Sequence, residues 1–225
     1  MLNELLKENP VFGCLDANDL NLVGRLANPQ NYPKGHWITH LGANWPFIFL
    51  VKEGVVQAIK ESPGGRSLIV TEITPGDLFW GISFFIADAP MPVALVAKQA
   101  ASLILWSQED LRPIILQNGC MSWELTRLMI EKMQFASEML NEFAFQPTTG
   151  RLAWMLLEAY GDKAGDFVAR DMTLDEMAAR IGSTREMVCR HLYQFADRGA
   201  IQINRTEFKI LDEELLRELA GRENR

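Results

Sequence analysis

Three charged side chains in the C-terminal third of the sequence have the types and spacing needed to read DNA bases. Arg185, Glu186 and Arg190 fall in one short predicted helix, with Glu186 and Arg190 one turn apart. Guanidinium and carboxylate groups can hydrogen-bond to base edges in the major groove of DNA. The alternative is that the two arginines contact phosphate groups or only solvent. The pattern favours a helix that enters a major groove.

These side chains need a supporting helix and a tight turn, and residues 174–192 predict both. Apolar residues repeat at helical spacing before Gly182, which can adopt the positive φ that a sharp bend requires. Ser183 or Thr184 can cap the helix that follows. The pattern is typical of a helix-turn-helix. Its predicted buried face consists of Leu174, Met177, Ala178, Ile181, Val188, Leu192 and Phe195.

The composition of the 225-residue chain limits the classes of protein to which it can belong. With 48% hydrophobic and 23% charged residues it is typical of a soluble globular protein. No apolar run is long enough to cross a membrane, so we expect a cytoplasmic protein. The net charge of −7 means that a DNA reader must concentrate its positive charge on one face. The spacing of Cys14, Cys120 and Cys189 suits neither a disulfide framework nor a zinc site.

The N-terminal half predicts helices followed by an antiparallel β-barrel. Residues 1–30 have helical apolar spacing. From Pro33 onward, short apolar runs alternate with glycine and proline turns, which indicates many short strands in a sandwich or barrel. Residues 62–66 form a predicted hairpin turn, and residues 79–86 a predicted short helix that lines the barrel. The predicted strands are residues 37–41, 47–51, 55–60, 67–73, 93–98 and 103–106.

A long helix is predicted after a small helical element at residues 108–119. Residues 121–145 contain no glycine or proline. Four- and three-residue steps, typical of a coiled-coil seam, link Met129, Met133, Ala136, Leu140 and Phe143. A neighbouring stripe that could face the barrel consists of Leu125, Leu128, Phe135 and Met139. Two stripes favour a helix shared between its own barrel and a partner subunit over the alternative, a core helix of a monomer.

The elements around the helix-turn-helix are also predictable from sequence. Pro147 makes residues 146–148 the expected hinge. The helix-turn-helix is preceded by an amphipathic helix and a polar loop, and it is followed by a hairpin around Asn204-Arg205-Thr206 and a charged terminal helix. These four elements are predicted at residues 150–160, 161–171, 200–211 and 213–220.

The order of these elements resembles that of the CRP/FNR family of bacterial transcription regulators over residues 15–212. Thr184-Arg-Glu-Met-Val-Cys-Arg190 is similar to the family's R-E-x-V-x-R recognition helix. The supporting motifs are Lys34-Gly35 with Gly42, Glu53-Gly54, Pro75-Gly-Asp77 and Thr149-Gly-Arg-Leu152. The resemblance implies an α+β fold with three parts: an antiparallel jelly-roll sensor barrel (a double-stranded β-helix) at 1–118, a dimerisation helix at 119–146 and a winged helix-turn-helix domain at 147–225.

The resemblance also implies a homodimer that binds double-stranded DNA at a roughly palindromic site and contacts RNA polymerase. The long helices would pair at the two-fold axis, and the recognition helices would enter major grooves about 34 Å apart. In the catabolite-activator branch, two arginines donate to guanine edges and a glutamate accepts from a cytosine amino group. We therefore expect Arg185, Glu186 and Arg190 to read a TGTGA-like half-site.

The expected DNA-facing surface includes three further residues. Ser183 and Thr184 are expected to contact phosphate groups or to cap the helix. Cys189 would lie beside the arginines, and nearby positive charge favours the reactive thiolate form of a cysteine. Redox inactivation of DNA binding is one hypothesis for Cys189, and a small tolerated residue is the alternative. We expect His191, which stands where the family usually has an aliphatic residue, to pack partly buried against the helix.

The signal that the barrel senses does not follow from the resemblance. Cyclic-nucleotide-binding members hold the nucleotide with a G-E-L segment and a later Arg-Ser or Arg-Thr pair, but this chain has Gly81-Ile82-Ser83 and Pro92-Val93 there. A cyclic phosphate buried without its arginine would be strongly disfavoured, so we expect no cyclic AMP binding. The candidate effector pocket consists of Trp80, Ile82, Ser83, Val93, Met129, Met133 and Ser137.

Other cofactors fit the sequence to different degrees. An iron–sulfur cluster needs several N-terminal cysteines, and only Cys14 is there, so we do not expect one. A haem-based gas sensor stays open, because His36, His40, a methionine or a cysteine could be an axial ligand. An apolar pocket for haem could use Trp80, Phe84, Phe85, Met129 and Met133. The alternatives are that these residues form barrel core and dimer seam, with an apolar effector or with none.

Two other classes of protein fit less well. A metal-dependent barrel enzyme needs clustered histidines, whereas the three histidines here are scattered, and no catalytic spacing is present. We therefore expect no enzyme. A ligand-binding module that acts on another protein leaves residues 171–211 unexplained. The sequence favours a DNA-binding regulator.

Overall fold

The computed structural model describes residues 2–62, 64–204 and 206–221. It divides into two compact units, drawn from Met1–Lys60 with Ile69–Gln134 and from Glu61–Leu68 with Phe135–Arg225. Within the described ranges, no helix combines the length and the apolar character that a bilayer span requires. Helices and antiparallel sheets make up both units, which confirms the predicted α+β class.

The first unit begins with three helices and a strand. Helix α1 spans Leu2–Glu8, α2 spans Pro10–Gly13 and α3 spans Ala17–Leu26. Side-chain caps start the second and third of these, since Asn9 accepts from the Val11 amide at 3.1 Å and Asp16 accepts from two amides of α3. Strand β1 follows at Asn28–Tyr32. The expectation that residues 1–30 are all helical is therefore wrong at its end.

Two four-stranded antiparallel sheets build the barrel. After β1, the strands are β2 Trp37–Thr39, β3 Phe47–Glu53, β4 Val56–Glu61, β5 Ser67–Ile73, β6 Leu78–Trp80, β7 Ala94–Ala97 and β8 Ala101–Ser107. The sheet orders are β1-β8-β3-β6 and β2-β7-β4-β5. The predicted barrel is confirmed, but residues 79–86 are not one helix. Phe79 pairs with Phe49 in the sheet, and only Ile82–Phe84 forms a single 3-10 turn.

Strand β3 separates two apolar cores because successive side chains point to opposite faces. Ile48 and Leu50 pack with the N-terminal helices, whereas Phe49 and Val51 pack inside the barrel. All four are fully buried. This explains why the strand is a continuous apolar run rather than an alternating one. The predicted turn at 62–66 includes Pro63, which lies outside the described residues; the Ser62 amide donates to the Arg66 carbonyl at 2.8 Å.

The small helix α4 spans Gln108–Gln117, and the long helix α5 spans Gly119–Phe145. Of the stripe predicted to face the barrel, Leu125 is buried and Leu128 is half-buried in the core that holds the N-terminal helices. Phe135 is 44% exposed, and Met139 is half-buried. Leu125 and Leu128 belong to the part of α5 in the first unit, whereas Phe135 and Met139 belong to the part in the second unit.

The second unit contains the winged helix-turn-helix. Its elements are α6 Thr148–Tyr160, β9 Val168–Ala169, α7 Leu174–Ile181, α8 Arg185–Asp197, β10 Ile201–Ile203, β11 Glu207–Ile210 and α9 Glu213–Ala220. The three strands form one antiparallel sheet in the order β10-β11-β9. The loop predicted at 161–171 therefore supplies a strand, which the sequence did not indicate. Arg205, at the predicted tip of the hairpin, lies outside the described residues.

Candidate DNA-binding site

Helix α7 has a defined start and a sharp end. Thr173 and Glu176 form a reciprocal cap: the Thr173 hydroxyl accepts from the Glu176 amide at 3.2 Å, and the Glu176 carboxylate accepts from the Thr173 amide at 2.8 Å. Gly182 ends the helix with φ of 61°. A Cβ atom there would lie 2.6 Å from the ring of Phe143, so both the conformation and the space require glycine.

Helix α8 presents one face to the core and the opposite face to solvent. Val188, Leu192 and Phe195 are buried, as predicted. Arg185, Glu186 and Arg190 are exposed, and Cys189 is half-buried between them. The structure therefore brings the predicted base-reading side chains together on the open side of one helix.

Thr184 acts as the cap of α8, because its hydroxyl accepts from the Met187 amide at 3.3 Å. Ser183 precedes it and is half-buried. The pKa of Glu186 is lowered, first because its own backbone N–H donates to the carboxylate and then because the Thr184 hydroxyl does. Glu186 is therefore held as a charged hydrogen-bond acceptor at neutral pH.

Sequence reasoning missed two residues of this surface. Tyr193 is 64% exposed and follows Glu186 and Arg190 at steps of four and three residues, which places the three on one helix face. That spacing was visible in the sequence. Asp175, in the first turn of α7, lies 3.4 Å from the guanidinium of Arg185. No sequence pattern indicates this pair, because it depends on how the two helices cross.

An open cleft of about 420 Å³ adjoins the start of α8. Its charged lining consists of the guanidinium groups of Arg170 and Arg185 and the carboxylates of Asp171 and Asp175. The only described ion pair among them joins Arg185 to Asp175. The residues that line the cleft are Arg170, Asp171, Met172, Thr173, Leu174, Asp175, Arg185 and Thr206.

Two buried polar side chains fix the helices behind this surface. The His191 ring lies 3.2 Å from the Thr149 hydroxyl and 3.0 Å from the Gln194 side-chain carbonyl. Arg151 donates to the backbone carbonyls of Ile181 at 2.9 Å and Gln146 at 2.7 Å. Burial lowers the pKa of Arg151. His191, expected to be partly buried, is 7% exposed.

An apolar stripe along α5 stays exposed. Its members recur at steps of three and four residues: Trp123, Thr126, Ile130, Met133, Ser137, Leu140 and Ala144. Of the predicted seam, Met133, Ala136 and Leu140 are exposed, whereas Met129 and Phe143 are half-buried. The Phe143 ring packs 4.7 Å from the Arg151 guanidinium carbon of the same chain.

The residues of the candidate effector pocket differ in their burial and in their partners. Ser83 is buried, and its hydroxyl accepts from the Trp45 amide at 3.0 Å. Val93 is buried in the barrel core, whereas Trp80 packs with the N-terminal helices. A Cβ atom on Gly81 would lie 1.8 Å from the Trp45 carbonyl oxygen, so the backbone is packed closely there. Ile82 and Met129 are half-buried, and Met133 and Ser137 are exposed.

The residues considered for haem differ in their exposure. Phe84 is buried and Phe85 is 41% exposed. His36 and His40 are exposed and contact the Tyr32 and Trp37 rings. Within the described ranges, no three His, Cys, Asp or Glu side chains are grouped so that they could hold a metal ion.

Comparisons with known proteins agree with this architecture. Residues 29–118 match the cyclic nucleotide-binding domain, and residues 150–219 match the Crp-like helix-turn-helix domain. The chain is 25% identical over 220 residues to the CRP-like cAMP-activated global transcriptional regulator of Mycobacterium tuberculosis, covering 96% of this chain and 98% of the relative. It is 24% identical over 215 residues to the cyclic AMP receptor protein of Thermus thermophilus, with the same coverage of both chains.

A solved structure of similar fold is that of a transcriptional regulator of the crp/fnr family from Eubacterium rectale. Its TM-score is 0.79 at 21% identity, and the match covers 95% of this chain and 98% of that one. The two domain matches occur in the family's order, and they bracket the long helix. The chain therefore belongs to the CRP/FNR family of transcription regulators.

Proposed function

We propose that this protein is a homodimeric, sequence-specific regulator that reads a palindromic TGTGA-like site and responds to a signal other than a cyclic nucleotide. One observation carries the DNA-reading part of the proposal. Arg185, Glu186 and Arg190 are exposed on one side of α8, while the opposite side is buried in the core of its unit. Two bidentate donors and one acceptor on a single exposed helix face match the major-groove pattern of guanine and cytosine.

The distribution of charge supports specific over non-specific binding. The whole chain has a net charge of −7, so DNA binding must rely on local positive charge. Arg170 and Arg185 of the cleft and Arg190 of α8 supply this positive charge, and Asp175 and Glu186 lie beside them. The affinity for arbitrary DNA is then low, and the contacts to bases supply most of the difference between a correct and an incorrect site.

The exposed stripe of α5 supports the homodimer. Four large apolar side chains, Trp123, Ile130, Met133 and Leu140, are between 48% and 71% exposed. Their heptad spacing fits two parallel helices packed along a two-fold axis. Pairing these stripes removes the apolar surface from water and positions two recognition helices for a palindrome. As in the family, RNA polymerase is the further partner that we propose for the DNA-bound dimer.

Two relatives are named as cAMP-activated or as a cyclic AMP receptor, but the pocket residues here support a different signal. The resemblance places the ribose-binding carboxylate and the phosphate-binding arginine at Ile82 and Pro92. The neighbouring Ser83 hydroxyl already accepts a backbone hydrogen bond, and Val93 is part of the apolar core. Calorimetry with cyclic AMP should give no binding at micromolar concentrations, and micromolar affinity would contradict this part of the proposal.

DNA-binding titrations test the reading part directly. We expect the protein to bind a TGTGA palindrome at least roughly a thousandfold more tightly than a scrambled duplex of the same composition. Arg185→Ala should remove about 1–3 kcal/mol of that preference. Arg198→Ala, at the other end of α8, is the matched control and should keep it. Equal affinity of the wild type for both duplexes, or a preference unchanged by Arg185→Ala, would contradict the proposal.

A further inference from the structure

Tyr193 is an exposed aromatic residue of α8 that does not belong to the proposed base-reading set. It is 64% exposed, although the opposite face of the same helix is buried. Among the residues that the structure describes, none forms a hydrogen bond with the Tyr193 hydroxyl group. A phenol donor is therefore available on this helix to a partner outside the chain.

Tyr193 shares its helix face with two of the proposed base readers. At about 3.6 residues per turn, Glu186, Arg190 and Tyr193 lie within about 60° of one another around the helix axis. The buried residues Val188 and Phe195 lie on the opposite side of α8. Tyr193 therefore belongs to the surface that approaches DNA when α8 enters a major groove.

The position of Tyr193 along α8 places it at the edge of the expected contact with DNA. It lies about 10.5 Å along the axis from Glu186, because an α-helix rises about 1.5 Å per residue. A recognition helix contacts bases with its N-terminal residues, and the major groove is about 12 Å wide. A residue two turns farther along the helix is then next to the groove wall, which the phosphate groups form.

Asp197, the last residue of α8, marks the end of the DNA-facing surface. It is exposed and follows Tyr193 by four residues on the same helix face. Phosphate groups repel an exposed carboxylate, so this last turn of the helix fits outside the contact. Tyr193 is then the last residue of the face that can touch the duplex. Its neutral hydroxyl is a hydrogen-bond donor, which suits a phosphate oxygen.

We propose that the Tyr193 hydroxyl donates a hydrogen bond to a phosphate group on the wall of the major groove, once in each half of the palindrome. This inference rests on the proposed DNA-reading function and adds a contact that contains no sequence information. Contacts to phosphate fix the register and orientation of a protein on the duplex. Tyr193 holds the C-terminal half of α8 against the DNA backbone while the N-terminal half reads the bases.

DNA-binding titrations of Tyr193→Phe test this contact, because the substitution removes only the hydroxyl group. We expect the affinity for the TGTGA palindrome to fall at least roughly fivefold, since one hydrogen bond is lost in each half-site. The preference for this palindrome over one with a guanine replaced in each half-site should not change, and neither should the salt dependence. Tyr32→Phe, on β1 of the first unit, is the matched control and should leave the affinity unchanged.

Duplexes with a single neutral methylphosphonate in each half-site identify the phosphate group. When the methylphosphonate is moved through the half-site, one position should weaken binding by the wild type but not by Tyr193→Phe. The other positions should affect both proteins equally, because their phosphate groups do not contact Tyr193.

Unchanged affinity of Tyr193→Phe would overturn the phosphate contact while the TGTGA preference of the wild type stands. A changed base preference of Tyr193→Phe would overturn it as well, because Tyr193 would then contact a base edge. Absence of the TGTGA preference in the wild type itself would contradict the proposed function, and this inference with it.

Discussion

The Nε atom of Arg151 donates a 2.9 Å hydrogen bond to the backbone carbonyl of Ile181, the last residue of α7. The same guanidinium donates to Gln146, next to the hinge proline, and covers the Phe143 ring near the end of α5. One buried side chain therefore joins the end of the long helix, the start of α6 and the turn of the helix-turn-helix.

Replacing Arg151 should destabilise the second unit. Arg151→Ala leaves two backbone carbonyls without their charged donor, and we expect the free energy of unfolding to fall by about 2–4 kcal/mol. Urea unfolding measures this loss. Arg198→Ala removes an exposed arginine and should change the free energy of unfolding by less than about 0.5 kcal/mol. Equal effects of the two variants would show that the Arg151 contacts contribute nothing specific.

Asp175 should weaken DNA binding, because its carboxylate holds Arg185 in an ion pair at 3.4 Å and adds negative charge beside a proposed DNA contact. Asp175→Asn should tighten binding to the palindrome by roughly two- to fivefold, since exposed ion pairs contribute at most about 1 kcal/mol. Asp166→Asn makes the same change in net charge outside the cleft. An identical gain from both substitutions would attribute the effect to overall charge alone.

The Tyr160 hydroxyl donates a 2.5 Å hydrogen bond to Asp171. Burial and then this carboxylate raise the pKa of Tyr160. Above about pH 10 the unfolded chain loses the tyrosine proton while the folded chain keeps it, so the contribution of Tyr160 to stability is complete below pH 10 and is lost as the pH rises. Denaturant titrations from pH 8 to 11 should show a smaller alkaline loss for Tyr160→Phe than for the wild type. Parallel curves would exclude this linkage.

The stripe of α5 should determine the oligomeric state. Leu140→Glu places two charges in the proposed interface, one from each chain of the dimer. Each chain also loses the burial of one leucine side chain, which is about 1.5 kcal/mol or more, so association should weaken roughly a hundredfold. Sedimentation should then give the mass of one chain at concentrations where the wild type is a dimer. Leu116→Glu, on α4, changes an equally exposed leucine and should remain dimeric. Monomeric wild type would remove the basis of the two-fold DNA reader.

Strong local periodicity made most of this fold predictable. The stripes of α7 and α8, the glycine turn between them and the short apolar runs of most barrel strands were visible in the sequence. Strand β1 was not, because Asn28–Tyr32 is polar and mostly exposed. This segment is a strand because it pairs antiparallel with residues Ala101 to Leu105 of β8. Tertiary pairing, and no local pattern, makes it a strand.

In the candidate site too, some features could be predicted from local spacing and others depend on tertiary contacts. Arg185, Glu186 and Arg190 belong to one helix, so their shared face could be predicted from spacing. The contact of Asp175 with Arg185 joins two different helices, and a single sequence contains no signal for it. Phe143, a residue of the predicted seam, contacts Arg151 of its own chain, and the sequence contains no signal for this contact either.

Base-specific reading by Arg190 is the central claim, and a double-mutant cycle on protein and DNA tests it most directly. Each guanine of the TGTGA half-site is replaced in turn within the palindrome, and binding of wild type and Arg190→Ala is measured at one salt concentration. The account predicts that Arg190→Ala becomes indifferent to one guanine, with a coupling of about 1–3 kcal/mol, and keeps its discrimination at the other. Additive effects at both guanines would contradict it.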